Sequence, residues 1–134
     1  MVSVAKEDYV RAVYLLQTKG EPYLSDLAEY LNITKPSASE MSKKLTKQGY
    51  LLHQPYGELK LTAKGIKLAE KLTYKHRIIE VFLSQILNLQ DNKIHNEAHK
   101  LEHAFSDESI ERIRKLIKNP QTCPHGQPIH SPRS

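Results

Sequence analysis

Cysteine occurs only once in the 134 residues, at Cys123, so no disulfide can close within the chain and a reducing compartment is expected. Long apolar runs are also missing, since nothing approaches the roughly 18 residues that a membrane span needs. The opening stretch MVSVAKEDY carries charges where a secretory leader requires an apolar segment. These absences argue against secretion and membrane insertion, leaving a cytoplasmic globular protein as the expectation. No internal repeat is visible. An apolar content of 39% is ordinary, and the length allows one domain or two small ones.

The net charge of +5 is modest, and its location is more informative than its total. From Lys35 to Lys75 there are nine lysines against three glutamates, whereas residues 76–134 are close to neutral. A polyanion should therefore meet the first half of the chain. The second half is distinguished by histidine: five of the seven lie between His76 and His125, together with the one cysteine.

Apolar residues recur at helical spacing from Val4 to Leu16, and Lys19-Gly20-Glu21-Pro22 ends that pattern. Ser25 reads as the N-cap of a short helix over Asp26–Leu31, and Asn32-Ile33 as a tight turn. A third helix opens at Thr34 or Lys35, with Pro36 in its first turn, and runs to about Gln48 before Gly49. Two short helices around a tight turn make a helix-turn-helix. Residues 50–54 and 58–62 read as two short strands around Pro55-Tyr56-Gly57, a wing. Thr62 caps a long helix to about Asn88, and further helices are expected over Asp91–Phe105 and Ser106–Lys118. The Pro-rich remainder is irregular. The fold class is mainly α: a winged helix-turn-helix over residues 1–75, then a helical metal-binding and dimerisation domain over 76–134.

On the third helix Ala38, Met41 and Leu45 share the inward face, leaving Lys35, Ser37, Ser39, Glu40, Lys43, Lys44 and Lys47 towards solvent. Hydroxyls near its N-terminus and lysines further along suit phosphates, and Glu40 suits the exocyclic amine of cytosine in the major groove. Tyr56 and Lys60 on the wing are candidates for the adjacent backbone. Double-stranded DNA is the partner this order of elements implies.

On the fifth helix His95, His99, Glu102 and His103 fall within an arc of roughly 100°. Ile94, Ala98, Leu101 and Phe105 form the neighbouring apolar stripe. In the long helix His76 and Glu80 stand i and i+4 on a face with Ala69, Leu72, Ile79, Leu83 and Leu87. A carboxylate and an imidazole there are costly unless something pairs with both, and a divalent cation does so. Asp8 offers a further oxygen from the first helix. Cys123 and His125, two residues apart, are a chelating pair, and Cys123 taken alone is also read as a small buried apolar residue.

With these elements in order, the chain resembles the DtxR/MntR family of iron- or manganese-dependent repressors. The resemblance is carried by Glu7-Asp8-Tyr9-Val10-Arg11, Tyr74-Lys75-His76-Arg77, Ala98-His99-Lys100-Leu101-Glu102-His103 and the ending from Asn119-Pro120 through Cys123-Pro124-His125-Gly126-Gln127-Pro128-Ile129. It implies a homodimer that binds operator DNA when loaded with Mn(II) or Fe(II) and controls metal-homeostasis genes. It also implies two metal sites: one drawing on Asp8, His99, Glu102 and His103, the other on His76, Glu80 and His95, with Cys123 and His125 as candidates to complete it. Position 99 is His where members usually carry Cys or Glu, and Arg11 stands where manganese-selective members carry Glu. The SH3-like third domain of larger members is not in this sequence. Two other readings stay open: a metal-independent winged-helix protein, and a small zinc peptidase using the spacing His99-x-x-Glu102-His103.

Overall fold

The structure, a computed structural model, describes residues 2–20, 22–52 and 57–132. Local chemistry accounts for most helix boundaries. The first helix, α1 (Val4–Gln17), starts at Ser3, whose hydroxyl accepts the Lys6 N–H. The third, α3 (Lys35–Lys47), starts at Thr34, whose hydroxyl accepts the Ser37 N–H at 3.2 Å. It stops where Gly49 takes φ +87, a left-handed conformation that glycine adopts without a Cβ clash.

The second helix, α2 (Leu24–Leu31), departs from expectation, because it begins at Leu24 and Ser25 lies inside its first turn. Tyr23 is the N-cap, and the Asp26 carboxylate accepts the Tyr23 N–H at 2.8 Å. An acidic side chain reaching back from the third helical position thus satisfies the end that Ser25 was expected to cap.

Residues 53–56 of the expected wing lie outside the described residues. Among the described residues its pairing is one antiparallel bridge, Leu51 with Leu61, flanked by Leu52 N–H to Lys60 C=O at 2.9 Å and Thr62 N–H to Tyr50 C=O at 3.1 Å. The second arm divides its hydrogen bonds: Glu58 bridges to Tyr23, and the Leu59 N–H reaches Pro22 C=O at 2.9 Å. The second expected strand, 58–62, is therefore represented by isolated bridges at Glu58 and Leu61. Tyr56 lies outside the described residues.

Thr62 begins α4 (Ala63–Gln85) by accepting the Gly65 N–H at 3.1 Å. A Cβ at Gly65 would collide with the Tyr50 carbonyl, so glycine is what lets α4 start hard against the chain that leaves α3. The helix ends at Gln85 rather than near Asn88, and Asn88 itself is left-handed at φ 51. Leu87, expected on the inward face, is consequently past the helix and exposed. The fifth helix, α5 (Asp91–Glu102), stops short of Phe105, and His103 is its C-cap. Ser106 then caps α6 (Asp107–Leu116).

The chain divides into two compact units, Met1–Glu70 and Lys71–Ser134, with the division inside α4. In the first, Tyr9, Val10, Val13, Leu27, Leu45 and Leu61 lie in one apolar cluster. Burial there pushes the Tyr9 phenol pKa up, outweighing the opposing contact with Ser42, so the hydroxyl keeps its proton. In the second, Ile78, Ile79, Leu83, Ile94, Ile110 and Cys123 form the core.

The Pro-rich ending is irregular but ordered. Lys118 and Asn119, both with positive φ, turn the chain after α6. A bridge from Thr122 to Pro128 and the bond from Cys123 N–H to Gln127 C=O, 2.8 Å, then close a tight loop. Arg77 on α4 donates to the Pro128 carbonyl at 2.7 Å and ties that loop to the helix. No helix among the described residues is long and apolar enough to cross a membrane.

Candidate metal centre and nucleic-acid interface

On the first unit, Lys35, Ser37, Glu40, Lys43, Lys44 and Lys47 of α3 are exposed, as is Lys60, while Ser39 is half-buried. Glu40 and Lys44 approach to 3.8 Å, an exposed i,i+4 pair of little energetic weight. Ser39, Lys43 and Lys47 border a groove of about 440 Å³. Ser42 and Thr46 line it too, and a reading of the sequence for exposed charge does not find them. Their spacing of three and seven from Ser39 is the signal that points to them. Asp8 also belongs to this unit, half-buried on α1.

The second unit gathers its histidines and carboxylates from three segments. His76 and Glu80 on α4 are only 4% and 3% exposed, and the i,i+4 spacing sets His76 Nε2 3.3 Å from Glu80 Oε2. His95, an exposed residue on α5, brings its Nδ1 to 3.2 Å from the same His76 nitrogen and 3.8 Å from the Glu80 oxygen. His125 on the C-terminal loop places its Nδ1 3.2 Å from Glu80 Oε2. The Cys123 thiol is buried, and a donor atom from each of Glu80, Cys123 and His125 lies within 4.8 Å of the other two.

Glu102 is the residue whose position changes the picture most. It is 1% exposed, and its Oε1 sits 2.8 Å from His76 Nδ1 and 3.6 Å from His99 Nδ1. Grouped by resemblance with Asp8, His99 and His103, it lies near His99 and also meets the ring of His76. His99 and His103 stack edge to face with ring centroids 5.4 Å apart.

Carboxylates can only accept, so Glu102 takes a hydrogen bond from His76 Nδ1, and Glu80 takes one from Nε2 when that nitrogen carries a proton; without that proton the Nε2 lone pair faces Glu80 and His95. Burial alone would push the Glu80 carboxyl pKa up. The hydrogen bond with His76 and the neighbouring His76, His125 and His95 rings outweigh it, holding the pKa below the usual carboxylate value. An ionised Glu80 oxygen and the facing nitrogens of three imidazoles therefore converge on one small volume. Such convergence is repulsive unless a proton or a cation occupies it. Ligands bonded at about 2.1 Å stand roughly 3.0–3.5 Å apart, the range of the shorter donor separations here. Residue type, spacing and a carboxylate behind the ligating imidazole all fit a divalent transition metal.

Comparison with known proteins gives the family. Residues 1–59 match the model of the iron-dependent repressor N-terminal DNA-binding domain. Residues 62–131 match that of the iron-dependent repressor metal-binding and dimerisation domain. Among solved structures, the manganese regulator SloR is 39% identical, with 94% of this chain and 62% of that one covered and a TM-score of 0.78. A manganese-dependent transcriptional repressor in complex with manganese is 34% identical, covering 94% and 58%, with a TM-score of 0.84. IdeR of T. acidophilum is 29% identical, covering 98% and 62%, with a TM-score of 0.80. The chain thus spans about three-fifths of the length of these relatives. Two family models that together take in nearly the whole sequence, and relatives at this identity, place the chain in the iron-dependent repressor family.

Proposed function

We propose that this protein is a metal-dependent transcriptional repressor that binds operator DNA as a homodimer in the cytoplasm, with Mn(II) or Fe(II) as cofactor. The observation that carries the reading is the convergence of the buried His76 and Glu80 with the exposed His95, with Glu102 behind the His76 ring. A divalent ion, when bound there, would take the place of the protons shared by these donors and supply the positive charge that their convergence requires. His76 and Glu80 would hold it from α4 and His95 from α5, with Cys123 and His125 as further donors near the Glu80 carboxylate. Glu102 keeps the His76 ring in the ligating tautomer. Imidazole and carboxylate suit Mn(II) and Fe(II), while a thiolate contribution favours Fe(II), Co(II) or Zn(II).

A second site is proposed from Asp8, His99, Glu102 and His103, on the residue chemistry and the family resemblance. Asp8 is its one ligand from the DNA-reading unit, so loading that site restricts where α3 can lie. The available free energy is the ion's differential affinity for the DNA-competent arrangement, and couplings of this kind run to about 1–3 kcal/mol. On the DNA side, Lys35, Ser37, Ser39, Lys43, Lys44, Lys47, Tyr56 and Lys60 take the backbone, and Glu40 accepts from cytosine N4 in the major groove.

The peptidase reading is disfavoured by Glu102 itself. A general base must reach water and substrate, and this carboxylate is buried against His76.

The deciding experiment titrates the protein onto duplex DNA selected from a random pool, with Mn(II), Fe(II), Co(II) and Zn(II) added in turn under anaerobic, reducing conditions at one salt concentration. A metal-dependent gain in affinity is expected, with Asp8→Ala losing most of it while still binding metal at His76, Glu80 and His95. Equal affinity with and without every metal would leave the metal-independent winged-helix reading in its place.

A further inference from the structure

We infer that Tyr9 is a positioning residue for DNA reading, fixing the register of the recognition helix α3 against α1 through its phenol hydroxyl. The inference deepens the repressor reading and rests on it. Tyr9 is fully buried, and its hydroxyl donates to the Ala38 carbonyl at 3.0 Å and meets the Ser42 hydroxyl. Ala38 and Ser42 are one turn apart on the same face of α3, and the Thr46 hydroxyl continues the row by donating to the Ser42 carbonyl at 2.8 Å.

The rest of the α1 and α3 packing belongs to an apolar cluster that includes Val10, Val13, Ala38 and Leu45. Apolar burial is non-directional, and a helix can slide or roll by a few tenths of an ångström on such a surface at small cost. A hydrogen bond weakens steeply with distance and angle, so this one sets both translation and rotation of α3. Ser39 and Lys43 follow Ala38 and Ser42 by one residue each, about 100° round the helix, and border the groove beside the wing. A displacement of α3 on α1 therefore moves the groove-lining groups by the same amount.

Tyr9 also adjoins Asp8, the proposed ligand on the same helix. A constraint on Asp8 is carried by the rigid turn of α1 to the phenol and from there to the α3 backbone. Deleting the hydroxyl should leave α1, α3 and the metal ligands folded, yet let the recognition helix slip relative to the helix that carries the constraint.

The test uses Tyr9→Phe and Ser42→Ala in the full chain, alone and combined, with Mn(II) as the metal and the pool-selected duplex as DNA. Expected are an unchanged Mn(II) affinity without DNA and a Mn(II)-induced gain in DNA affinity reduced roughly 2- to 12-fold in Tyr9→Phe, the span of one hydrogen bond of ordinary net strength. Ser42→Ala should lose less, because the Ala38 carbonyl still accepts the phenol. The double variant should fall no further than Tyr9→Phe. Amide exchange over Ser37–Ser42 should also quicken in the Tyr9→Phe protein, a readout that needs no DNA. A lowered melting temperature with an undiminished Mn(II)-induced gain would make Tyr9 merely structural and overturn the inference while leaving the repressor reading intact. A wild-type protein with no gain from any of Mn(II), Fe(II), Co(II) and Zn(II) would overturn both. If Tyr9→Phe failed to fold, Ser42→Ala would decide, with a wild-type gain and wild-type exchange over Ser37–Ser42 counting against the proposal.

Discussion

The exposed face of α3 and the histidine cluster of the second unit both consist of charged and polar side chains, but they hold them in opposite ways. On α3 the lysines stand apart in solvent, and the ion pair on that face, Glu40 with Lys44, is exposed and long at 3.8 Å. In the second unit Glu80 lies within 3.8 Å of donor nitrogens on three histidines, and Glu102 backs one of them from the interior. Separate groups in water contribute to binding almost additively, while groups that converge on one shared oxygen act as a unit. The first surface should therefore degrade gradually under mutation and the second abruptly.

The largest effect, and the sharpest way to break that contrast, comes from Glu80→Ala. It removes the oxygen that His76, His95 and His125 share, and metal-stimulated DNA binding should vanish while light scattering still reports a folded dimer. Retention of wild-type midpoint and amplitude would show that the cluster does not act as a unit.

Next in size is Glu102→Ala, which leaves the His76 ring without the acceptor that orients it. Loss of such a supporting carboxylate typically costs about 10- to 100-fold in metal affinity, and equilibrium dialysis should find a drop in that range. Glu102→Gln keeps an acceptor oxygen for the Nδ1–H and should lose less. His103→Ala should also remove the metal response, through the proposed site that includes Asp8.

On the additive side, Lys43→Ala, Lys44→Ala and Lys47→Ala should each weaken binding to all sequences about equally. Each should lower the magnitude of the salt slope by roughly one for every phosphate that the variant no longer neutralises, with metal affinity unchanged. Losses that multiplied well beyond the product of the single effects would place α3 in the cooperative class with the histidines.

The smallest expected effect lies at Asp107, which Lys71 holds at 2.7 Å and Lys75 at 3.1 Å. The Lys71 hydrogen bond leads the causes that hold its pKa below the usual value. A carboxyl depressed on folding contributes stability above its unfolded pKa and loses it as pH falls through the lower folded value. Asp107→Asn should therefore lower the melting temperature slightly near neutrality, with the two proteins converging as pH falls through the folded value. Because Asp107 is largely exposed, the difference should be small, and a gap that widened in acid would reverse the assignment.

Sequence alone determined the elements with local causes. Thr34, Pro36 and Gly49 bound α3 because a cap, a missing N–H and a left-handed residue act within one turn. The same short range put His76 and Glu80 on one face of α4, and made Ile94 and Ala98 the inward side of α5. It failed where a partner came from elsewhere. Ser25 yielded the cap of α2 to a turn built on Asp26, and the second arm of the wing gave part of its pairing to Pro22 and Tyr23. Tertiary structure alone decided that Glu102 backs His76, 26 residues away, and that the loop pinned by Arg77 brings His125 to Glu80. Helical periodicity says which residues share a face, since that depends on 3.6 residues per turn. Which two faces meet depends on how whole elements bury their apolar surface, a property of the assembled core that no window of sequence contains.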